Sequence, residues 1–212
     1  MKKSPLMVDQ PAFYPMIFST EMVRALLDGR KTQTRRIVKD TLLQRYKDDD
    51  DVKSDFLKVT ILDSAKLKIG AIIWVKETFS QKDGTIVYRS QVCSKLDLPD
   101  GCVWTPSLFM PKLFCRLFLK ITDIRLERLK DISESDAIAE GIRMTVTTVK
   151  PYDTIYLRPD CPNFYCNAKQ AFEGLWKSIN DQESWDENPF VWVYDFKVVE
   201  RPAEFLLGYE LI

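Results

Sequence analysis

A short cationic segment near the N-terminus combines side chains that can act as a base and a nucleophile. The segment GRKTQTRR occupies residues 29–36 and contains Lys31 and Thr34 among three arginines. A threonine hydroxyl attacks a carbonyl only after a base removes its proton, and a lysine is a base once its pKa falls well below about 10.4. Neighbouring cations and partial burial both lower a lysine pKa. In an extended segment the two side chains point to opposite faces, but a turn lets them converge.

The same segment has a second interpretation that involves no catalysis. Clusters of charged side chains usually lie on solvent-exposed faces. Residues 29–36 can therefore form a solvated basic strand edge or a phosphate-binding arm. Residue types and spacing leave these alternatives open.

Two glutamates are candidates for proton transfer or ligand binding. Glu140 lies in DAIAEGI at the expected end of a helix, where the helix dipole favours the proton-bound carboxyl and so suits a proton shuttle. An exposed surface glutamate is the alternative. Glu77 lies in WVKET and shares a strand face with Val75, so it is expected to be buried and to pair with an arginine or bind a ligand amine.

Aromatic side chains supply candidates for stacking on a nucleic acid base. For each of them core packing is the alternative. The candidates are Trp74, Tyr88, Trp104, Trp185 and Trp192.

Composition excludes several kinds of chemistry. The chain has no histidine, which removes Ser-His-Asp and Cys-His catalysis and histidine-ligated metals. Its 5 cysteines show no CxxC pair, so the sequence predicts reduced thiols, no zinc site and no cofactor. Lys and Arg together number 31, as do Asp and Glu, so contact with nucleic acid requires a local basic patch. Without a membrane-length apolar stretch or a signal peptide, we expect a cytoplasmic protein that does not enter a membrane.

Hydrophobic patterning predicts short strands separated by helices. Strands are expected at 16–19, 34–38, 70–79, 85–89, 113–129 and 190–199, with a bend near 122–123. Helices are expected at 20–27, 133–140 and 167–180, and residues 143–165 are expected to be rich in loops. This pattern favours an α+β fold built on a small barrel with flanking helices.

The expected organisation is one domain. Residues 1–14 form a leader, 15–200 a single domain and 201–212 a C-terminal tail. Insertions are expected near 39–66, 90–108 and 143–165, the first of them around the acidic run YKDDDDVKSDF.

Four motifs together resemble the ASCH-domain proteins. They are GRKTQTRR, the GAIIWVKET segment, ITDIRLERLKDISESDAIAEGI and the W-x-x-N-P-F-V-W-V pattern near the C-terminus. The likeness covers about residues 17–199 and is greatest to the larger phage- and prophage-type members. It implies a PUA-like small β-barrel with a cleft lined by the GRKT segment.

The resemblance also implies two functions. A branch of small ASCH proteins removes the acyl group from N4-acetylcytidine with a Lys, a Thr and a Glu, and those positions match Lys31, Thr34 and Glu140. We therefore expect a metal-independent amidohydrolase acting on N4-acylated cytosine or cytidine, with Lys31 as base, Thr34 as nucleophile and Glu140 as acid and base. Glu140 or Lys31 can also activate water directly, without an acyl-enzyme. The expected substrate-binding residues are Arg30, Arg35, Arg36, Glu77 and Trp74.

The main alternative is a PUA-like RNA-binding module without catalysis. Its cationic residues would contact phosphates while aromatic side chains stack on unpaired bases. A nuclease ranks third, because the chain lacks histidine and any evident carboxylate cluster for a metal.

Overall fold

The computed structural model describes residues 12–39, 65–92, 102–148, 151–161 and 163–207. Most of the expected leader, the acidic run of the first insertion and residues 93–101 of the second insertion lie outside the described residues. Within the described ranges, no helix is long and apolar enough to cross a membrane.

A five-stranded sheet forms the centre of the fold, in the order β1-β3-β6-β10-β2. Strands β1 and β3 pair in parallel, and the other neighbours pair antiparallel. Each of these strands overlaps a strand that the sequence predicts. The bounds are β1 Phe13–Ile17, β2 Gln33–Ile37, β3 Ile72–Lys76, β6 Phe118–Arg128 and β10 Phe190–Val199.

The bend that the sequence predicts near 122–123 is a β-bulge in the long strand β6. Asp195 of β10 pairs with Asp123, and the next residue, Phe196, pairs with Ile121. Thr122 is therefore the extra residue, and such an insertion increases the local twist of the strand.

Two smaller sheets complete the strand set. Strands β4 Phe79–Lys82 and β5 Thr85–Tyr88 form a hairpin, and its turn residues Asp83 and Gly84 both have positive φ angles, as is typical of a tight two-residue hairpin turn. The third sheet contains β7 Arg143–Val146, β8 Thr154–Leu157 and β9 Phe164–Tyr165. The expectation of a loop-rich segment at 143–165 is wrong here, because strands of two to four residues carry too little alternation to be recognised.

The predicted α+β class is confirmed. In the described part of the chain, three α-helices accompany three β-sheets. The edge strands β1 and β2 of the central sheet do not pair with each other in the described part of the chain, so no closed barrel is formed there.

Two short helices end at the residues that carry the candidate site. Helix α1, Thr20–Leu27, begins at Ser19, whose hydroxyl accepts a hydrogen bond from the backbone N–H of Met22. Helix α2, Glu134–Ala139, begins in the same way at Ser133 and ends at Glu140. These caps fix where each helix begins, and Gly29 and Gly141, both with positive φ, lie in the loops that follow the helix ends.

The third helix, α3 Ala168–Asp186, covers the central sheet. It buries Ala168, Phe172, Leu175 and Trp176, whereas Ile179, which the helical spacing places on the same face, is 56% exposed; the helix is kinked at Asp181, where φ is 74°. Because the backbone of Asp181 is not helical, the regular helix ends at the predicted residue 180, and a second short helical segment follows it.

A second apolar cluster lies around Phe205, within the expected C-terminal tail. The Phe205 ring is fully buried and makes edge-on contacts with the rings of Phe13, Trp74 and Phe118. Residues 203–206 are therefore part of the folded unit.

Candidate active site

The loops that follow α1 and α2 are joined by their backbones. The N–H of Thr32 donates to the carbonyl of Ala139 at 2.9 Å. Gly141 has φ of +107°, and a Cβ atom there would lie 3.2 Å from the Cβ of Ala25 and 3.6 Å from that of Lys31. Only glycine suits this conformation and this close approach. The tight junction brings Lys31 beside Glu140, although 109 residues separate them.

The Lys31 ammonium is buried and has three acceptors. Its Nζ donates to Glu140 Oε2 at 2.7 Å, to the Glu140 carbonyl at 2.8 Å and to the Gln33 carbonyl at 2.9 Å. The residue is 1% exposed. Burial lowers the pKa of Lys31, while the Glu140 carboxylate opposes that shift. The geometry thus gives a lysine that is easier to deprotonate than an exposed one.

The second oxygen of Glu140 contacts a buried arginine. Arg35 NH1 lies 3.2 Å from Glu140 Oε1, and its NH2 lies 3.2 Å from Glu127 and 3.4 Å from Asp136. The guanidinium therefore links three carboxylates and fixes the orientation of Glu140. Its Nε has no hydrogen-bond partner.

Thr34 lies in β2 with its hydroxyl bonded to an arginine rather than to the lysine. Arg36 NH1 donates to Thr34 Oγ1 at 2.9 Å. No hydrogen bond joins Lys31 to Thr34 among the described contacts, since the three ammonium protons of Lys31 are directed elsewhere. The convergence of Lys31 and Thr34 that a turn allows is therefore not present in this conformation. Both residues are nevertheless buried in the same segment.

A cavity of about 880 Å³ opens beside Glu140, between β1, the end of β2 and α3. Among its lining residues are four cations, Arg35, Arg36, Lys39 and Lys66, and one carboxylate, Glu140. The polar side chains Thr78, Ser107 and Asn180 also line it. Its aromatic lining residues are Tyr14, Phe18, Phe172, Trp176, Trp192 and Tyr194. This combination suits a flat ring system that carries polar groups.

Tyr194 is a candidate functional residue that sequence reasoning misses. It lies on β10 directly opposite Thr34 of β2 and lines the cavity. Burial raises the pKa of Tyr194 to about 12, with Arg36 opposing the shift. The phenol is therefore protonated at neutral pH and can donate a hydrogen bond. Alternation along β10 puts Tyr194 on the face of Trp192, but its position opposite Thr34 depends on strand pairing that a single sequence does not specify.

Two of the expected substrate-binding residues, Glu77 and Trp74, lie outside the cavity lining. Glu77 is 1% exposed, and its carboxylate accepts hydrogen bonds from Arg116 at 2.8 and 3.1 Å and from the Ser90 hydroxyl. Of the two roles expected for Glu77, the structure has the arginine pair. Trp74 packs on Phe205 in the second apolar cluster. Neither Glu77 nor Trp74 is among the residues that line the cavity.

The three expected arginines differ in position. Arg35 and Arg36 line the cavity, whereas Arg30 is held by Asp28 and by the carbonyl of Gly141. Arg30 thus tightens the junction between the two loops and is not among the cavity residues.

The described residues contain no group of three Cys, Asp or Glu side chains arranged to hold a metal ion. The described cysteines, Cys102, Cys115, Cys161 and Cys166, are free thiols.

No family model matches the sequence, and no curated protein matches it. A solved structure that it matches is that of protein EF3133 from Enterococcus faecalis V583, described by the family name DUF984. The identity is 12%, the match covers 95% of this chain and 85% of that chain, and the TM-score is 0.41.

Proposed function

We propose that this protein is an amidohydrolase that removes the acyl group from N4-acylated cytosine or cytidine. The observation that carries the proposal is the buried ion pair of Lys31 and Glu140, 2.7 Å apart, beside a cavity lined by aromatic side chains. The resemblance of the sequence to ASCH-domain proteins with a PUA-like fold supports it, because Lys31, Thr34 and Glu140 match the Lys, Thr and Glu of the deacylating branch.

The ion pair suits proton transfer because it exchanges one proton without changing its net charge. The pair has two arrangements with a net charge of zero: an ammonium with a carboxylate, and a neutral amine with a protonated carboxyl. Burial disfavours separated charges, so the neutral arrangement is more accessible here than in water. A neutral Lys31 can then accept a proton from a nucleophile.

In the acyl-enzyme route Thr34 is the nucleophile. The Nζ of Lys31 turns from the Gln33 carbonyl to Thr34 and takes the hydroxyl proton as Oγ1 attacks the amide carbon. The guanidinium of Arg36, already 2.9 Å from Oγ1, supplies positive charge for the developing anion. The C–N bond breaks, the cytosine amine takes a proton from Lys31 or Glu140, and water hydrolyses the threonine ester.

In the direct route water is the nucleophile. Glu140 lines the cavity and takes a proton from a water molecule, whose oxygen attacks the amide carbon. The tetrahedral intermediate collapses as the proton passes to the departing amine. This route needs no movement of Lys31, whose ammonium stabilises the Glu140 carboxylate between turnovers.

The cavity fits a pyrimidine with an acyl group. Aromatic side chains such as Phe18, Phe172 and Trp192 line it and offer faces for a planar ring. Tyr194 offers a hydroxyl donor to a carbonyl oxygen of the ring or of the amide. A volume of about 880 Å³ lies within the range of small-molecule sites.

The decisive experiment follows the conversion of N4-acetylcytidine to cytidine by the purified full chain, with a chelator present. We expect turnover by the wild type, and none by Lys31→Met or Glu140→Gln. Lys120→Ala, which removes an exposed lysine of β6 outside the cavity lining, should behave as wild type. Absence of turnover by the wild type with N4-acetylcytidine, N4-acetylcytosine and N4-benzoylcytidine would refute the proposal.

A non-catalytic RNA-binding module is the second candidate. Lys39 and Lys66 at the cavity favour it, because exposed cations beside aromatic side chains are typical of single-strand binding sites. Retention of a short RNA that falls steeply with salt, without hydrolysis of any acylated cytidine, would establish this candidate.

A further inference from the structure

The residues that line the cavity carry a positive charge that the chain as a whole does not have. The full sequence balances 31 cations against 31 anions. Among the described residues, the cavity lining instead includes four cations and a single carboxylate, Glu140. That carboxylate already pairs with Lys31 and Arg35. The remaining positive charge therefore faces a ligand or solvent.

Two of these cations have no carboxylate partner among the described residues. The exposed side chains of Lys39 and Lys66 take part in no described ion pair. Arg36 is only partly exposed, and its guanidinium bonds Thr34 and the Arg35 carbonyl. Burial lowers the pKa of Arg36 and the Glu140 carboxylate opposes that shift, so the two lysines are the cations left to attract an anionic ligand.

Two of the lining cations contact lining aromatic rings, since the guanidinium carbons of Arg35 and Arg36 lie 5.8 Å and 5.5 Å from the ring centroids of Phe172 and Phe18. The other two are exposed lysines: Lys39 follows the end of β2, and Lys66 lies just before Leu67, another lining residue. A ligand that contacts both the rings and these lysines needs a flat ring joined to an anionic group. A free nucleoside supplies the ring but no charge.

We propose that the cavity takes its acylated cytidine as a phosphate ester, with the phosphate held by Lys39 and Lys66. This inference rests on the proposed function and adds the substrate class. A phosphate monoester carries a charge of roughly −1.5 to −2 at pH 7, which two lysines offset. The phosphate can be the monoester of a free mononucleotide or the singly charged diester of an RNA strand, and both present anionic oxygens to the lysines.

The experiment compares kcat/KM for three substrates at low ionic strength: N4-acetylcytidine, its 5′-monophosphate and a short RNA with one N4-acetylcytidine. We expect a preference of roughly tenfold or more for a phosphorylated substrate over the nucleoside, expressed mainly in KM and reduced by salt. The phosphorylated substrate with the higher kcat/KM identifies the source of the phosphate.

Two matched double variants test the assignment of the lysines. Lys39→Ala/Lys66→Ala should abolish the preference for the phosphorylated substrate, because it removes the two cations that are proposed to hold the phosphate. Lys120→Ala/Lys197→Ala removes the same charge from exposed β6 and β10 positions outside the cavity lining, and it should keep the preference.

The possible failures are distinguishable. Equal kcat/KM for nucleoside and phosphorylated substrates would overturn the phosphate assignment while the deacylase activity stands. A preference that survives in Lys39→Ala/Lys66→Ala would also overturn it. Failure of the proposed function would appear as no turnover of any of the three substrates. In that case calorimetry compares the affinities of the wild type for cytidine 5′-monophosphate and for cytidine. Equal affinities for the two ligands would overturn the phosphate site as well.

Discussion

The ammonium of Lys31 lies 2.7 Å from the carboxylate of Glu140, and the two side chains are 0% and 4% exposed. The desolvation penalty of two such charges often exceeds the energy that their attraction returns. A pair of hydrophobic residues of similar volume would be a less costly way to fill this space. The pair is thus weak support for stability, and a role in chemistry is a reason for its presence.

A double-mutant cycle measures how strongly the two residues are coupled. Lys31→Met leaves the Glu140 carboxylate with one cationic partner instead of two, so we expect a loss of about 3–5 kcal/mol in the free energy of unfolding. The double variant Lys31→Met/Glu140→Met removes both charges and should lose less than Lys31→Met alone. Urea unfolding at neutral pH measures all the variants, and a double variant that shows the sum of the single losses would contradict the coupling.

Arg35 and Arg125 form a matched pair for testing the carboxylate network. The Arg35 guanidinium is 1% exposed and contacts Glu140, Glu127 and Asp136, whereas Arg125 is 35% exposed and contacts carboxylates of the same network. We expect Arg35→Met to lose about 3–5 kcal/mol of stability and Arg125→Met about 0–1 kcal/mol. Urea unfolding would contradict this contrast if the two losses were equal.

The same pair separates a positioning role from a structural one. Arg35 touches Glu140, so Arg35→Lys should lower kcat on an acylated cytidine more than it raises KM, because a lysine cannot bridge three carboxylates. Arg125→Lys should leave both constants close to wild type. A rise in KM alone for Arg35→Lys would make Arg35 a substrate contact instead.

Much of the strand and helix pattern could be predicted from local sequence. Alternation along 113–129 indicated β6 and its bulge, and serines followed by apolar stripes indicated the helix starts. The short strands at 143–165 were missed because each has too few residues for a periodic signal. Local patterns thus predict elements long enough to repeat.

The candidate site shows a different limit. Residue types alone selected Lys31, Thr34 and Glu140, but the contact of Lys31 with Glu140 depends on the close approach of Gly141 to Ala25. That approach is a tertiary contact between distant segments, so spacing along GRKTQTRR could not indicate that Lys31 turns away from Thr34. The unpaired lysines at the cavity were missed for the same reason.

Glu77 is expected to support the fold and not the substrate. Its carboxylate is buried and bonded to Arg116 and Ser90. Glu77→Gln should lower the free energy of unfolding by about 1–3 kcal/mol, because a charge-assisted bidentate contact is weakened. KM for an acylated cytidine should stay within about twofold of wild type. A large rise in KM with unchanged stability would restore the ligand-binding role that the sequence allowed.

Tyr194 makes stability depend on pH in the alkaline range. Its pKa is raised from 10.0 to about 12 by burial, so as pH rises above 10 the unfolded chain loses this proton before the folded protein does. Loss of the proton stabilises the unfolded state, and the contribution of Tyr194 to stability falls as pH rises through the folded pKa. Urea unfolding between about pH 9 and 11 should show a shallower decline for Tyr194→Phe than for wild type, and parallel curves would contradict the assignment.

Thr34 variants decide between the two routes of deacylation. Thr34→Val keeps the shape of the side chain but removes the oxygen that Arg36 contacts. The acyl-enzyme route therefore predicts that this variant loses turnover. It also predicts that acylated protein, which intact-mass measurement after rapid quenching should detect in the wild type, is absent from the variant. Thr34→Ser keeps a hydroxyl and should retain activity within about tenfold.

Turnover that persists in Thr34→Val would assign the attack to water activated at Glu140.

The dependence of kcat/KM on pH tests whether Lys31 is the base. Because burial lowers the pKa of Lys31 below its ordinary 10.5, kcat/KM should rise with pH along a limb centred below that value. Lys31→Arg should lack this limb, since arginine stays charged over the whole range. A limb that remains in Lys31→Arg would remove Lys31 from proton transfer and leave it as the cation that holds Glu140 in place.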